Sequence, residues 1–163
     1  MAFSIPLFDL NYDEAEQAAV RRVLDSKWLT MGEEIRNFER EFADFIGVRH
    51  GVAVANCTAA LHLAYEALGV RGGEVILPAL TFVATAAAAV SAGARPVFAD
   101  IAALADPVID PEEIRRRITP ATRAICVMHY GGLACDMDRI VAIARERRLA
   151  LVEDCAHSPG SAL

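Results

Sequence analysis

Lysine is almost absent from this chain. Lys27 is the only one among 163 residues, and arginine supplies the other fifteen of the sixteen basic side chains. Twenty-two acids leave a formal charge of −6, and Arg115 to Arg117 is the only basic run longer than a pair. A nucleic-acid surface needs a basic stripe, so that class of partner is excluded. The arginine run follows Asp110-Pro111-Glu112-Glu113 and reads instead as a solvated helix with acids at its start and bases at its end. Neither the G-x-G-x-x-G turn of dinucleotide folds nor the G-x-x-x-x-G-K-S/T phosphate loop is present, and no serine stands in a G-x-S-x-G elbow. Cys57, Cys126, Cys135 and Cys155 form no C-x-x-C pair. With no secretory leader, four reduced thiols in a cytoplasmic protein are expected. One long stretch, Val75 to Ala94, carries no charge, but Pro78 interrupts it and the pattern turns from strand to helix at Thr81, so it is not a membrane span.

What is present is apolar: 55% of the residues, in a chain long enough to bury roughly 70% of its unfolded surface in one core. Asp13 opens a helix with Ala15, Ala19, Val20, Val23 and Leu24 on one face. A second helix carries Ile35, Phe38, Phe42, Phe45 and Ile46, and Lys27 to Gly32 forms the loop between the two. Residues 1–50 therefore read as an N-terminal helical extension. From Gly51 short apolar runs alternate with helices. Val52 to Ala55, Glu74 to Leu77, Pro96 to Ala99, Ala124 to Met128 and Leu149 to Glu153 are the expected strands, with helices starting near Thr58, Phe82, Pro111 and Asp136. That alternation over 51–163 predicts an α/β fold of three layers, a mainly parallel sheet with helices on both faces and right-handed crossovers.

Ligands of such sheets collect at the carboxyl ends of the strands. Asn56-Cys57-Thr58, Pro78 to Phe82, His129-Tyr130-Gly131-Gly132 and Asp154 to His157 occupy that edge. Thr58 and the helix start around it suit a phosphate, or serve only as a cap. Phe82 either stacks on an aromatic ligand or belongs to the core. Asp154 ends a buried strand, where a carboxylate needs a cation; a protonated pyridine, an arginine and a helix to cap are the alternatives. His157 is a ligand, a proton carrier or a satisfied buried imidazole. Cys57 and Cys155 are nucleophiles or small buried fillers. His129, Asp136 and Asp138 suggest a metal, but capping explains Asp136, and no metal site is expected.

Taken in order, Trp28-x-Thr30-x-Gly32, Asn56 to His62, Pro78-x-x-Thr81-Phe82, His129 to Gly132 with Asp136-Met137-Asp138, and Glu153-Asp154-Cys155-Ala156-His157 resemble the DegT/DnrJ/EryC1/StrS aminotransferases. The resemblance runs from about Ile5 to Gly160, and Cys57 departs from it where glycine, alanine or serine is usual. It implies the large domain of a fold type I pyridoxal-phosphate (PLP) transferase, in part. It further implies that Thr58 and the amide of Ala59 hold the cofactor phosphate, Phe82 lies against the ring, Asp154 bonds the ring nitrogen, His157 sits beside the ring and the Trp28 loop approaches the substrate.

The family's Schiff-base lysine falls beyond Gly160, after a Ser-Phe stretch, so no catalytic residue is assigned here and the chain is read as an amino-terminal part ending at Leu163. The complete protein is expected to transfer an amino group, with glutamate as donor, to a nucleotide-linked keto sugar, and to work as a cytoplasmic homodimer. Two alternatives stand beside it: a sugar dehydratase of the same family, with histidine in place of the lysine, and a noncatalytic partner docking on a longer relative. A sheet edge left uncovered implies poor solubility for the part alone.

Overall fold

The computed structural model describes residues 10–161. They fall into two compact units, one ending at Ala53 and the other beginning at Val54.

The first unit is helical because its caps and its spacing agree. Asp13 and Glu16 form a reciprocal capping box that opens α1 (Glu14–Ser26), and Lys27 closes it in the left-handed conformation. Gly32 precedes α2 (Glu33–Ile46), and Gly47, at φ 77°, ends it. The apolar stripes expected on both helices form, yet α1 buries no residue and α2 buries only Ala43. Val20, Leu24, Phe38 and Phe45 are exposed, and Phe38 stacks on Phe42 with ring centroids 5.6 Å apart.

The second unit is a parallel sheet between two layers of helices. Its strands are β1 (Glu74–Pro78), β2 (Arg95–Ala99), β3 (Ile101–Ala103), β4 (Asp106–Ile109), β5 (Thr122–Met128) and β6 (Ala150–Asp154). Its helices are α3 (Cys57–Ala67), α4 (Val83–Ser91), α5 (Pro111–Arg117) and α6 (Met137–Arg147). The main sheet runs β2-β1-β5-β6 with every pairing parallel.

Strand periodicity divides the core. Val75 and Leu77 of β1 and Ala124 and Cys126 of β5 meet Leu61 and Tyr65 of α3 and Ala88 and Ala89 of α4. Ile76, Ile125 and Val127 point the other way, onto Ile114 of α5 and Ile140 and Ile143 of α6. Strands buried on both faces read as continuous apolar runs, which is why β1 and β5 stand out in the sequence. Asp110 caps α5 through the Glu112 amide, and the acids and arginines lie at its two ends as expected.

One expectation is corrected, and one hairpin is added. Val52 to Ala55 is not a strand: its backbone joins no ladder among the described residues, and the Ala53 amide donates to Glu39 Oε1 at 2.8 Å. Between β2 and α5 the chain makes an antiparallel hairpin, β3 with β4, that short strands and Pro107 concealed. No described helix is long and apolar enough to cross a membrane. The uncharged stretch from Val75 divides into β1 and α4, as its internal proline and change of period require.

Candidate functional site

The carboxyl ends of β1, β5 and β6 and the starts of α3 and α4 converge on Asp154. The residue is 4% exposed. Its Oδ2 accepts the Thr85 hydroxyl at 3.0 Å, and its Oδ1 accepts the Ala156 amide at 3.2 Å and the Cys57 thiol at 3.6 Å. All three donors are neutral. Among the described residues no arginine, lysine or histidine pairs with this carboxylate, so the arginine alternative is set aside. A buried carboxylate held only by neutral dipoles is a costly arrangement, and a cation arriving at this edge relieves it.

Beside it, α3 opens outward. The Asn56 side chain caps the helix by accepting from the Ala59 amide at 2.9 Å, and the Ala60 amide closes on the Asn56 carbonyl. The amides of Cys57 and Thr58 then have no partner among the described residues, and Thr58 is exposed. Both residues are exposed at the positive end of the helix dipole, and the Cys57 thiol reaches Asp154. Capping therefore occupies the Ala59 amide, and Cys57 and Thr58 carry the free donors.

Phe82, the residue before α4, is 67% exposed and is not core. His157 is exposed too, so it is not a buried imidazole. Its Nδ1 accepts the Gly131 amide at 3.2 Å, and its ring meets Tyr130 edge-on at 5.8 Å between centroids. Gly131 and Gly132 take φ of 62° and 87°, left-handed values that suit glycine and turn the amide toward the histidine. With Nδ1 accepting, neutral His157 carries its proton on Nε2.

Neither neighbouring thiol is activated. Burial, then the charge of Asp154, raises the pKa of Cys57; burial, then Glu153, raises that of Cys155. Both residues are nevertheless exposed, which corrects their reading as buried fillers. All four cysteines are free, and burial pushes Cys126 to about 12 and Cys135 to about 11.

His129, Glu153 and Cys155 bring candidate metal-ligand atoms within 4.8 Å of one another. Their hydrogen bonds oppose ligation. His129 Nδ1 accepts the Cys135 amide at 3.1 Å, so its proton lies on Nε2 and faces Glu153 at 3.2 Å. A metal at Nε2 would force that proton onto Nδ1, against another N–H. Asp136 caps α6 through the Arg139 amide.

Thr85 was missed in the sequence, although a signal existed. It is the only hydrogen-bonding side chain between Val83 and Val90, on a helix otherwise of alanine and valine, and it is fully buried.

The DegT/DnrJ/EryC1/StrS aminotransferase family model matches residues 11–163. The chain belongs to that family. This DegT-family chain is 43% identical over 159 residues to the spore coat polysaccharide biosynthesis protein SpsC of Bacillus subtilis, covering 97% of this chain and 40% of that protein. It is 40% identical over 161 residues to the GDP-perosamine synthase of Vibrio cholerae, covering 98% and 44%. Among solved structures, the aminotransferase TlmJ of Streptoalloteichus hindustanus superposes with a TM-score of 0.90 at 40% identity, over 98% of this chain and 44% of that one. DesI, crystallised in the presence of its TDP-sugar product, gives 0.82 at 38% identity over 94% and 39%. The Streptococcus pneumoniae protein Spr1654 in its PLP form gives 0.90 at 30% identity over 96% and 44%. The chain thus spans about two-fifths of the length of the curated relatives it matches.

Proposed function

We propose that this chain is the amino-terminal part of a PLP-dependent aminotransferase that moves an amino group, with glutamate as donor, onto a nucleotide-linked keto sugar. In this reading residues 1–50 are a helical extension and residues 51–163 are part of the cofactor-binding domain. The observation that carries it is Asp154: a buried carboxylate with no cation, at the sheet edge where a helix start offers free amides.

The residues fit the group. Asp154 would hold the protonated ring nitrogen, the hydroxyl of Thr58 and the amides around it the phosphate, with Ala59 joining only if the Asn56 cap yields. Phe82 offers an exposed ring for stacking, and His157 offers an Nε2 proton to an oxygen on the ring. When bound, PLP supplies an electron sink for the bond being broken, and Asp154 strengthens that sink by keeping the ring protonated. GDP-perosamine synthase and the TDP-sugar product of DesI support a nucleotide-sugar substrate. The exposed apolar faces of α1 and α2 support a homodimer, or docking on a longer relative. The free thiols agree with a cytoplasmic location.

The test is to read the native gene past the codon for Leu163, express the full-length protein and titrate it with PLP while following absorbance. A Ser-Phe stretch followed by a lysine, with saturable PLP binding that Asp154→Asn weakens, is the expected result. A histidine in place of the lysine redirects the reading to sugar dehydration. A stop codon directly after Leu163, or no PLP binding, overturns the aminotransferase reading and leaves the docking partner.

A further inference from the structure

We propose that Thr85, itself held by Thr81, is the positioning residue that orients the Asp154 carboxylate toward a cationic ring. The inference rests on the reading of this edge as a PLP site. Thr85 is fully buried and its hydroxyl is spent on the carboxylate, so its part is to aim Asp154.

Proton counting fixes the direction of the relay. A hydroxyl has one proton to give, and a carboxylate only accepts. The Thr85 hydroxyl lies 3.0 Å from Asp154 Oδ2, and its proton goes there. Its 2.9 Å contact with the Thr81 hydroxyl must then be a bond that Thr81 donates, since two oxygens with no proton between them would repel. Met128 Sδ, also 2.9 Å from the Thr81 oxygen, competes for the same proton, but a thioether is the weaker acceptor. The sequence is Thr81 to Thr85 to Asp154, each donor polarising the next.

Burial makes the relay matter. Thr85 is fully buried, and no other side chain between Val83 and Val90 can donate. On the opposite oxygen, the Cys57 thiol at 3.6 Å is a long and weak donor, and the Ala156 amide is fixed by the backbone two residues away. Oδ2 therefore depends on Thr85 alone among the described residues. Without that bond only the Oδ1 contacts restrain the last torsion of the carboxylate, and the lone pair presented to the ring is held less firmly.

The experiment uses the full-length protein reconstituted with PLP carrying 15N in the ring, with the ring-nitrogen resonance and PLP affinity read for wild type, Thr85→Val, Thr85→Ser, Thr81→Val and Asp154→Asn. Expected for wild type is a protonated ring nitrogen. Thr85→Val should move the resonance toward the unprotonated position and weaken PLP binding about tenfold or more, whereas Thr85→Ser keeps both within about twofold. Thr81→Val should shift the resonance in the same direction by less, and it tests the relay even if Thr85→Val fails to fold. Wild-type values in both valine variants, alongside loss in Asp154→Asn, overturn the positioning role while leaving the PLP reading intact. An unprotonated ring in wild type, or an Asp154→Asn protein indistinguishable from it, overturns the PLP reading and this inference with it.

Discussion

Two buried carboxylates stand at opposite ends of the same parallel sheet, and they are completed differently. Glu74 is the first residue of β1 and 6% exposed; Asp154 is the last residue of β6 and 4% exposed. Glu74 receives the Thr119 hydroxyl at 2.7 Å, the Thr122 hydroxyl at 3.5 Å and the guanidinium of Arg95, its neighbour across the β1–β2 ladder. Asp154 receives a hydroxyl, a thiol and an amide, and no cation. Similar burial with opposite charge balance separates a carboxylate that the fold itself completes from one that it leaves without a cation, the one assigned to the cofactor in the proposed function. Strain of this kind is tolerated where function requires it and is compensated elsewhere in the molecule.

Substituting the two acids in turn tests the contrast. The largest effect falls on cofactor binding: in the full-length protein Asp154→Asn should weaken PLP about tenfold to a hundredfold, as expected for loss of a charge-assisted bond, while Glu74→Gln stays within about twofold. An absorbance titration decides it, and equal losses in both variants would erase the distinction. In the cofactor-free protein the order should reverse. Glu74→Gln removes a bond network that the fold itself completes and should lower unfolding free energy by about 1–2 kcal/mol in denaturant titrations; Asp154→Asn, which neutralises an uncompensated buried charge, should cost less.

Acid sharpens the Glu74 half. The Thr119 hydroxyl, helped by Arg95 and Thr122 against the opposing effect of burial, holds Glu74 below the usual carboxylate range. A depressed folded pKa contributes stability that is complete above the unfolded value and is lost as pH falls through the folded one. The difference in melting temperature between wild type and Glu74→Gln should therefore hold through neutral pH and shrink below about pH 4. A difference that grows in acid would mean that Glu74 is not the stabilising carboxylate.

Much of this was legible in the sequence because strand and helix periods are strong where both faces are buried. β1, β5 and the four helices of the second unit lie close to where apolar runs and caps put them. The edge motifs also converge as topology requires, Cys57 on Asp154 and Thr81 on Met128, the two pairs being linked through Thr85. What stayed hidden depends on partners distant in sequence. Val52 to Ala55 has strand chemistry but no neighbour to pair with among the described residues, and a strand cannot be inferred without its partner. Thr85 lies 69 residues from Asp154, so only the fold reveals the bond, even though one hydroxyl within an apolar helix was a visible anomaly. The exposure of Phe82, His157 and both edge cysteines was likewise beyond composition, which favours burial for phenylalanine and cysteine.

The smallest expected effect gives the closest view of Asp154. Cys57 is an accessible residue whose thiol is held up first by burial and then by the Asp154 charge. Only the thiolate reacts with iodoacetamide, so at pH 8 in cofactor-free protein Cys57 should alkylate more slowly than an unstructured cysteine despite its exposure. Asp154→Asn removes the second cause and leaves the first, so the rate should rise only a few-fold. Glu74→Gln, at the other end of the sheet, should leave it unchanged. Cys155 is an internal reference, since burial and Glu153 come before Asp154 among the causes that raise it, and its rate should respond less to Asp154→Asn than that of Cys57. Peptide mass spectrometry of timed alkylations resolves the two sites. Should Cys57 react at the rate of a free thiol, the uncompensated negative charge at this edge is not there, and the contrast between the two carboxylates fails at its functional end.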